Sequence, residues 1–353
     1  MQAQVALIQG DDRYRNIVGA LDALGEQASF ATCRSVVIKP NFVSIDHPLA
    51  TTHIDAVRAV LDVIRRSYAG PITIAEGAAI TPTAQAFERF GYRALASEYR
   101  AALLDLNDDQ TVPVQVYDRQ LQPRTLRLAR TIVESDMRIS VGPPKTHDTV
   151  RVTLSLKNMI MGALVNRDAA GSAKRLPLPL PAIYLARMAA RRVGVAAPTL
   201  TRLGLGEGSD KIAMHQGYPA MNLNLALLAP YVYPHLAVID GFEAMEGEGP
   251  IHGDPVPWRV AMASADALAA DTLAAWLMGF DPALVGYLRH CCAIGLGVGD
   301  LGQIATRGNV EPQSVRRSFR PHPADAQQQQ WQLDDAESWL APAAAMALSL
   351  GAS

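Results

Sequence analysis

The chain has 353 residues, 49% of them hydrophobic and 19% charged. That is ample material for one large or two ordinary domains, and it argues against bulk disorder. Lys and Arg number 32 against 34 Asp and Glu, so the formal charge is −2 and the basic excess of a nucleic-acid binder is missing. Cys33, Cys291 and Cys292 supply neither a disulfide framework nor the thiolate set of a self-contained iron–sulfur cluster.

The opening MQAQVALIQGDDRYR has no basic start and a short apolar run, so it reads as a first strand and not as a signal peptide. No window reaches the roughly 18 apolar residues of a spanning helix. The expected location is cytoplasmic, with no transmembrane segment.

In chain order, QVALIQ (4–9) is expected as a strand, IVGALDAL (17–24) as a helix and SVVIKP (35–40) as a buried strand. Ile54, Val57, Val60, Leu61 and Ile64 repeat at helical spacing, with Thr51 or Thr52 as the expected cap. ITIAEG (72–77) is the next strand, followed by one helix from Pro82 to Tyr99 and the strand MRISVG (137–142). Further on, LNLALLAPYV is helical, HLAVIDG (235–241) and WRVAMAS (258–264) are strands, and ADALAADTLAAWLMG (265–279) is a helix with Asp266 as a candidate cap. Alternating strands and helices specify an α/β fold, with mostly parallel sheets covered by helices on both faces. Two lobes with a cleft between them are expected, over residues 1–165 and 216–325.

Residues 166–215 break the rhythm. Within 171–211, seven basic residues (Lys174, Arg175, Arg187, Arg191, Arg192, Arg202, Lys211) face only Glu207 and Asp210. This Pro/Gly-rich insertion reads as a surface excursion, a lid, an oligomer contact or a membrane-surface element. Residues 326–353 form a polar, Ala-rich tail that either docks a helix or frays.

Polar residues cluster just after the expected strands, where open α/β sheets hold ligands. Lys39 and Asn41 follow the second strand, with Thr52 and His53 across a short loop. A lysine beside backbone amides suits a carboxylate or phosphate, although it could equally snorkel from the sheet edge. In GPPKTHDTVRVTLSLKNMIMG (142–162), Lys145 and His147 lie on a Pro-rich loop, while Lys157 and Asn158 lie in an apolar helical run. A charge among apolar neighbours is costly unless it is paired or working. Desolvation would lower the Lys157 pKa, suiting it to act as a general base or a Schiff-base nucleophile. His147 is expected to titrate near neutrality and shuttle a proton. Asp240 at a strand end and Glu246 in the following Gly-rich loop, near Glu243 and Glu248, would bind a divalent cation or salt-bridge the lysines. His215 joins Lys39, Asn41, Thr52, His53, Asn158, Asp240 and Glu246 as a candidate binding residue. No Walker loop, G-x-S-x-G elbow or correctly placed Rossmann glycine motif is present.

The stretches VVIKPNFVS, TTHIDAVRAVLDVI, ITIAEG, LLDLNDD, SVGPPKTHDTVRVTLSLKNMIMG, AVIDGFEAMEGEGPIHGDPV and ASADALAADTLAAWLMG resemble, in order, the domain of unknown function 362 family. Many of its relatives look like redox proteins with an appended cysteine-rich ferredoxin module, which this chain lacks. The GPPK…KN region is more distantly similar to the lactate racemase family, where lysine and histidines hold a nickel-pincer nucleotide. Lys145, His147 and Lys157 would be the nearest counterparts, but neither nickel nor nucleotide is carried over.

The expected function is an enzyme that binds a small anionic metabolite, with Lys145, His147 or Lys157 moving a proton in an isomerisation, elimination or related step. The alternative is a non-catalytic cofactor- or metal-binding redox accessory. A homo-oligomer is left open.

Overall fold

The computed structural model describes residues 2–166 and 209–351. The strands are β1 (Ala3–Gln9), β2 (Val36–Lys39), β3 (Ile72–Glu76), β4 (Ala102–Asp105), β5 (Thr111–Tyr117), β6 (Pro123–Ala129), β7 (Met137–Gly142), β8 (Lys145–His147), β9 (Arg151–Thr153), β10 (Leu236–Glu246), β11 (Asp254–Ser264) and β12 (Ile304–Gly308). Eight of them lie in the order β12-β1-β11-β10-β7-β2-β3-β4, with β8 and β9 continuing off β10. Along that path only β11 runs against its neighbours, so the sheet is mostly parallel.

Strand alternation explains the layers. Val5, Leu7, Val37, Ala237, Ile239, Val260 and Met262 feed one apolar cluster, which is closed by helices Ser155–Ala163, Tyr218–Val232 and Ala267–Leu277. Their neighbours Ala6, Val36, Ile38, Leu236, Val238, Ala261 and Ala263 feed a second cluster, with helices Arg13–Leu24 and Ile54–Arg65. Successive side chains point to opposite faces, so a near-continuous apolar run such as VVI is what a strand covered on both sides requires. Each fully buried Ile, Leu or Val contributes roughly 1.5–3 kcal/mol relative to exposure.

Several local expectations are corrected. Strands from both halves of the chain enter one sheet. The helix expected over 82–99 is two helices, Thr83–Arg89 and Tyr92–Tyr99, broken at Gly91, whose φ of 77° is easily reached without a Cβ. His53, not Thr51 or Thr52, caps helix Ile54–Arg65 by accepting from the Asp55 N–H, whereas Asp266 does cap helix Ala267–Leu277. Lys145 and His147 form the short strand β8 instead of lying in a loop, and β10 runs on to Glu246, so Glu243 and Glu246 are strand residues. Within the glutamine run Gln328 is buried and donates to the His147 carbonyl at 2.8 Å, while its three neighbours are exposed. Of the basic insertion, Lys174, Arg175, Arg187, Arg191, Arg192, Arg202 and Glu207 lie outside the described residues. Among the described residues no helix is long and apolar enough to cross a membrane.

Candidate functional site

From β2 the chain steps one way to β3 and β4, then returns on the other side of β2 as β7 and β10. A crevice opens at the carboxyl ends of the strands where such an order reverses. Here those ends are Lys39 on β2 and Gly142 on β7. A cavity of about 310 Å³ lies nearby, with Asn41, Glu76, Lys145, His147, Lys157, Asn158, Lys211 and His215 in its wall.

Its floor is a buried polar network. Lys39 Nζ donates to Glu76 Oε2 at 2.5 Å, to Asn158 Oδ1 at 2.8 Å and to the Pro40 carbonyl at 2.9 Å. Asn158 Oδ1 also accepts from Asn41 Nδ2 at 3.0 Å, while its Nδ2 donates to Ser140 Oγ at 2.9 Å. Burial lowers Lys39 and raises Glu76, and the attraction between them opposes both shifts. The approach is close because Gly162 faces the lysine, and a methyl group there would overlap its Cε.

Lys145 Nζ donates to Asn41 Oδ1 at 2.5 Å and to the Ala50 carbonyl at 2.8 Å. Burial, then repulsion from Lys157 and Lys39, pushes its pKa down to about 7. Lys157 stands in the first turn of helix Ser155–Ala163 and is 6% exposed. No hydrogen bond or ion pair holds its amine among the described residues, and burial pushes it down to about 8. The start of that helix is fixed by Asp271, whose two carboxylate oxygens each accept at 2.8 Å from the N–H of Ser155 and of Leu156. A carboxylate at a helix N-terminus satisfies orphan donors and meets the positive end of the dipole.

His147 does not behave as a neutral-pH shuttle. Burial, reinforced by Lys157, lowers it to about 3, and its Nδ1 accepts from the Thr149 N–H at 3.0 Å. Asp148 Oδ1 lies 3.0 Å from the same Nδ1, and this carboxylate opposes the downward shift. His215 Nδ1 lies 2.8 Å from the Lys211 carbonyl, and burial lowers this histidine as well.

The structure therefore brings Lys145, His147, Lys157, Asn41, Asn158 and His215 to one cavity, with Lys39 immediately beneath. Thr52 is placed elsewhere: its Oγ1 donates to the Val141 carbonyl and accepts from the Asn41 N–H, holding a turn. His53 is a half-exposed helix cap. Asp240 pairs with Arg13 at 3.1 Å and Glu246 accepts from the Arg320 N–H at 3.0 Å, so neither carboxylate lines the cavity or touches a lysine. Among the described residues, no group of three or more His, Cys, Asp or Glu is arranged to hold a metal.

Glu76, Lys211 and Thr153 were not picked out from sequence. Glu76 closes the strand ITIAE, and a carboxylate ending a buried strand was a readable signal. Lys211 passed as one more charge of a basic surface. Instead it is buried, donates to the carbonyls of Met161 (2.5 Å) and Gly162 (3.0 Å), and is lowered by burial to about 7.

Known proteins resemble the chain at several levels. It belongs to the family described as Domain of unknown function (DUF362), matched over residues 36–276. A thylakoid-associated protein, sll1697, of Synechocystis sp. is 39% identical over 57 residues, which are 16% of this chain and 18% of that relative. The chain thus matches less than a fifth of the curated relative's length. The lactate racemase apoprotein of Thermoanaerobacterium thermosaccharolyticum superposes with a TM-score of 0.40 at 13% identity, covering 82% of this chain and 56% of that one.

Proposed function

We propose that this member of the domain of unknown function 362 family is an enzyme that binds a small organic anion in the lysine-walled cavity and moves a proton on it with Lys157. Lys145 and Lys211 attract the anion. Asn41 and Asn158 fix the lysines, and the buried Lys39–Glu76 pair holds the floor in register. Neutral His147 offers a hydrogen bond. The reaction class is proton abstraction next to a carboxylate, leading to isomerisation or elimination.

One observation carries this reading: a buried amine in a cavity wall that has no hydrogen bond or ion pair of its own among the described residues. An ammonium in that position is costly unless a ligand compensates it, and burial brings its pKa close to working pH, where a general base is most effective. Residues 1–165 supply Lys145 and Lys157, and the 216–325 segment supplies Pro250 and Ile251 on another wall.

Proton transfer can be detected without knowing the net reaction. The purified protein in D2O, offered 2-hydroxy, 2-keto and 2-amino acids, should exchange a carbon-bound proton of at least one, followed by NMR. The rate should rise with pH through a limb near 8. Lys157→Met should reduce it by roughly a thousandfold or more with the melting temperature retained. Exchange unaffected by that substitution would reject the role of Lys157. A metal or chromophore that co-purifies, with no exchange on any acid, would support the accessory role instead.

A further inference from the structure

The cavity has two chemically different parts. At its inner end, Lys145 on β8 lies directly across from Thr153 on β9. Cross-strand partners project to the same face of a ladder, and both residues line the cavity. Thr153 is 5% exposed and its Oγ1 has no hydrogen-bond partner among the described residues. A buried hydroxyl without a partner carries a desolvation cost that a bound acceptor would remove. Lys157 presents a second unspent donor to the same space.

The cavity also has apolar wall residues, the buried Phe42 with Met161 and Ile251, and the exposed Ile80 and Ile212. Ile80 and Ile212 are 42% and 46% exposed, two of the four exposed large hydrophobics among the described residues. Single exposed isoleucines are ordinary on a protein surface, but two flanking one opening and continuous with buried apolar wall are not scattered. A two- or three-carbon acid would leave this wall unused, since the volume matches roughly ten waters.

Charge narrows the head group. Lys145, Lys157 and Lys211 line the cavity with Asp148, Glu76 being paired with Lys39, and the lowered pKa values of the three lysines keep their net positive charge small near neutral pH. No arginine lines the cavity among the described residues, so the planar fork that grips phosphate in two places is missing there. A single carboxylate matches this set better than a phosphate.

Building on the anion-binding reading above, we infer that the ligand is an amphipathic monocarboxylate with an apolar body of roughly five to eight carbons. Its carboxylate meets Lys145 and Thr153, which leaves the Lys157 amine beside the adjoining carbon. Its body lies along Phe42, Met161 and Ile251 and leaves between Ile80 and Ile212.

Calorimetric titration of the full chain with propionate, hexanoate, octanoate and octanol tests this. A buried methylene contributes roughly fourfold in affinity, so octanoate should bind at least about 30-fold tighter than propionate even if only half its chain is covered. Octanol, which lacks the charge, should bind about tenfold weaker than octanoate or worse. In the Ile80→Ser/Ile212→Ser double variant, which alters exposed positions, the advantage of octanoate over propionate should shrink to about threefold. Thr153→Val should weaken every carboxylate by about tenfold and keep the chain-length dependence.

Equal affinity for propionate and octanoate would overturn the apolar body and leave the anion site standing. Octanol binding as tightly as octanoate would overturn the anion reading itself. No binding of any of the four would reject both.

Discussion

Arg151 and Lys157 lie close in sequence, both are buried cations, and their surroundings differ in kind. Arg151 is fully spent. Its Nε and Nη2 reach the two oxygens of Asp325 at 2.7 and 3.0 Å, its Nη1 donates to the Leu284 carbonyl, and its guanidinium lies over the Phe280 ring. Its backbone N–H donates to Gln328 Oε1. Together these contacts tie β9 to the segment Asp325–Gln328 and hold Arg151 in a left-handed backbone conformation with φ of 66°. Lys157 has no such partner. The contrast teaches that burial of a charge alone says little about function, whereas burial without compensation points to a ligand.

The largest effect that would test this contrast is on stability. Arg151→Met strands the half-buried Asp325 and should cost about 3–5 kcal/mol, read from the denaturant midpoint. Lys157→Met removes a charge whose burial the attraction of Asp148 only partly offsets, and should leave stability equal or higher. Equal losses from the two substitutions would erase the distinction.

The pH dependence sharpens it. The folded pKa of Lys157, about 8, lies below the ordinary lysine value of 10.5. Between those limits the unfolded chain binds more protons, so stability rises with pH across the interval and the penalty is constant below about 8. The gap in unfolding free energy between wild type and Lys157→Met should therefore narrow by about 3 kcal/mol from pH 8 to pH 10.5. A gap independent of pH would mean that the amine is not strained by burial.

Third, Gly162→Ala pushes a methyl group into Lys39 and should cost about 2 kcal/mol by overpacking. It should also disturb the lysine network, seen as altered amide shifts at Asn158. A neutral result would show that Lys39 can move aside. Fourth, Asp271→Ala removes the acceptor for the Ser155 and Leu156 N–H groups and should cost about 1–2 kcal/mol. At the small end, Arg320→Ala breaks an exposed pair with Asp254 and should leave the denaturant midpoint unchanged.

The fold was legible because burial on both faces of a sheet leaves a clear mark. VVIK, ITIAE and MRISVG are apolar with little alternation, and they became β2, β3 and β7. The β5–β6 hairpin was not anticipated, because Pro113, Pro123 and several charged residues dilute its pattern. Within the site, lysines in apolar company stood out and came together. Glu76 and Lys211 did not, since whether a carboxylate or amine is buried depends on contacts between segments far apart in the chain. The same reason explains Asp240: a carboxylate in an apolar strand looks alike in sequence whether its partner is a ligand, a lysine or, as here, Arg13.

The reversal of strand order beside β2 also bears on how relatives of this chain could diverge. Lys39, Glu76 and Lys145 lie on hydrogen-bonded strands, anchored as firmly as the sheet itself. Ile80 belongs to the connection that leaves β3, and Ile251 to the one between β10 and β11. Exchanging such connectors would retune molecular preference while the reactive amines stayed in place, much as a tool holder accepts new bits without being rebuilt.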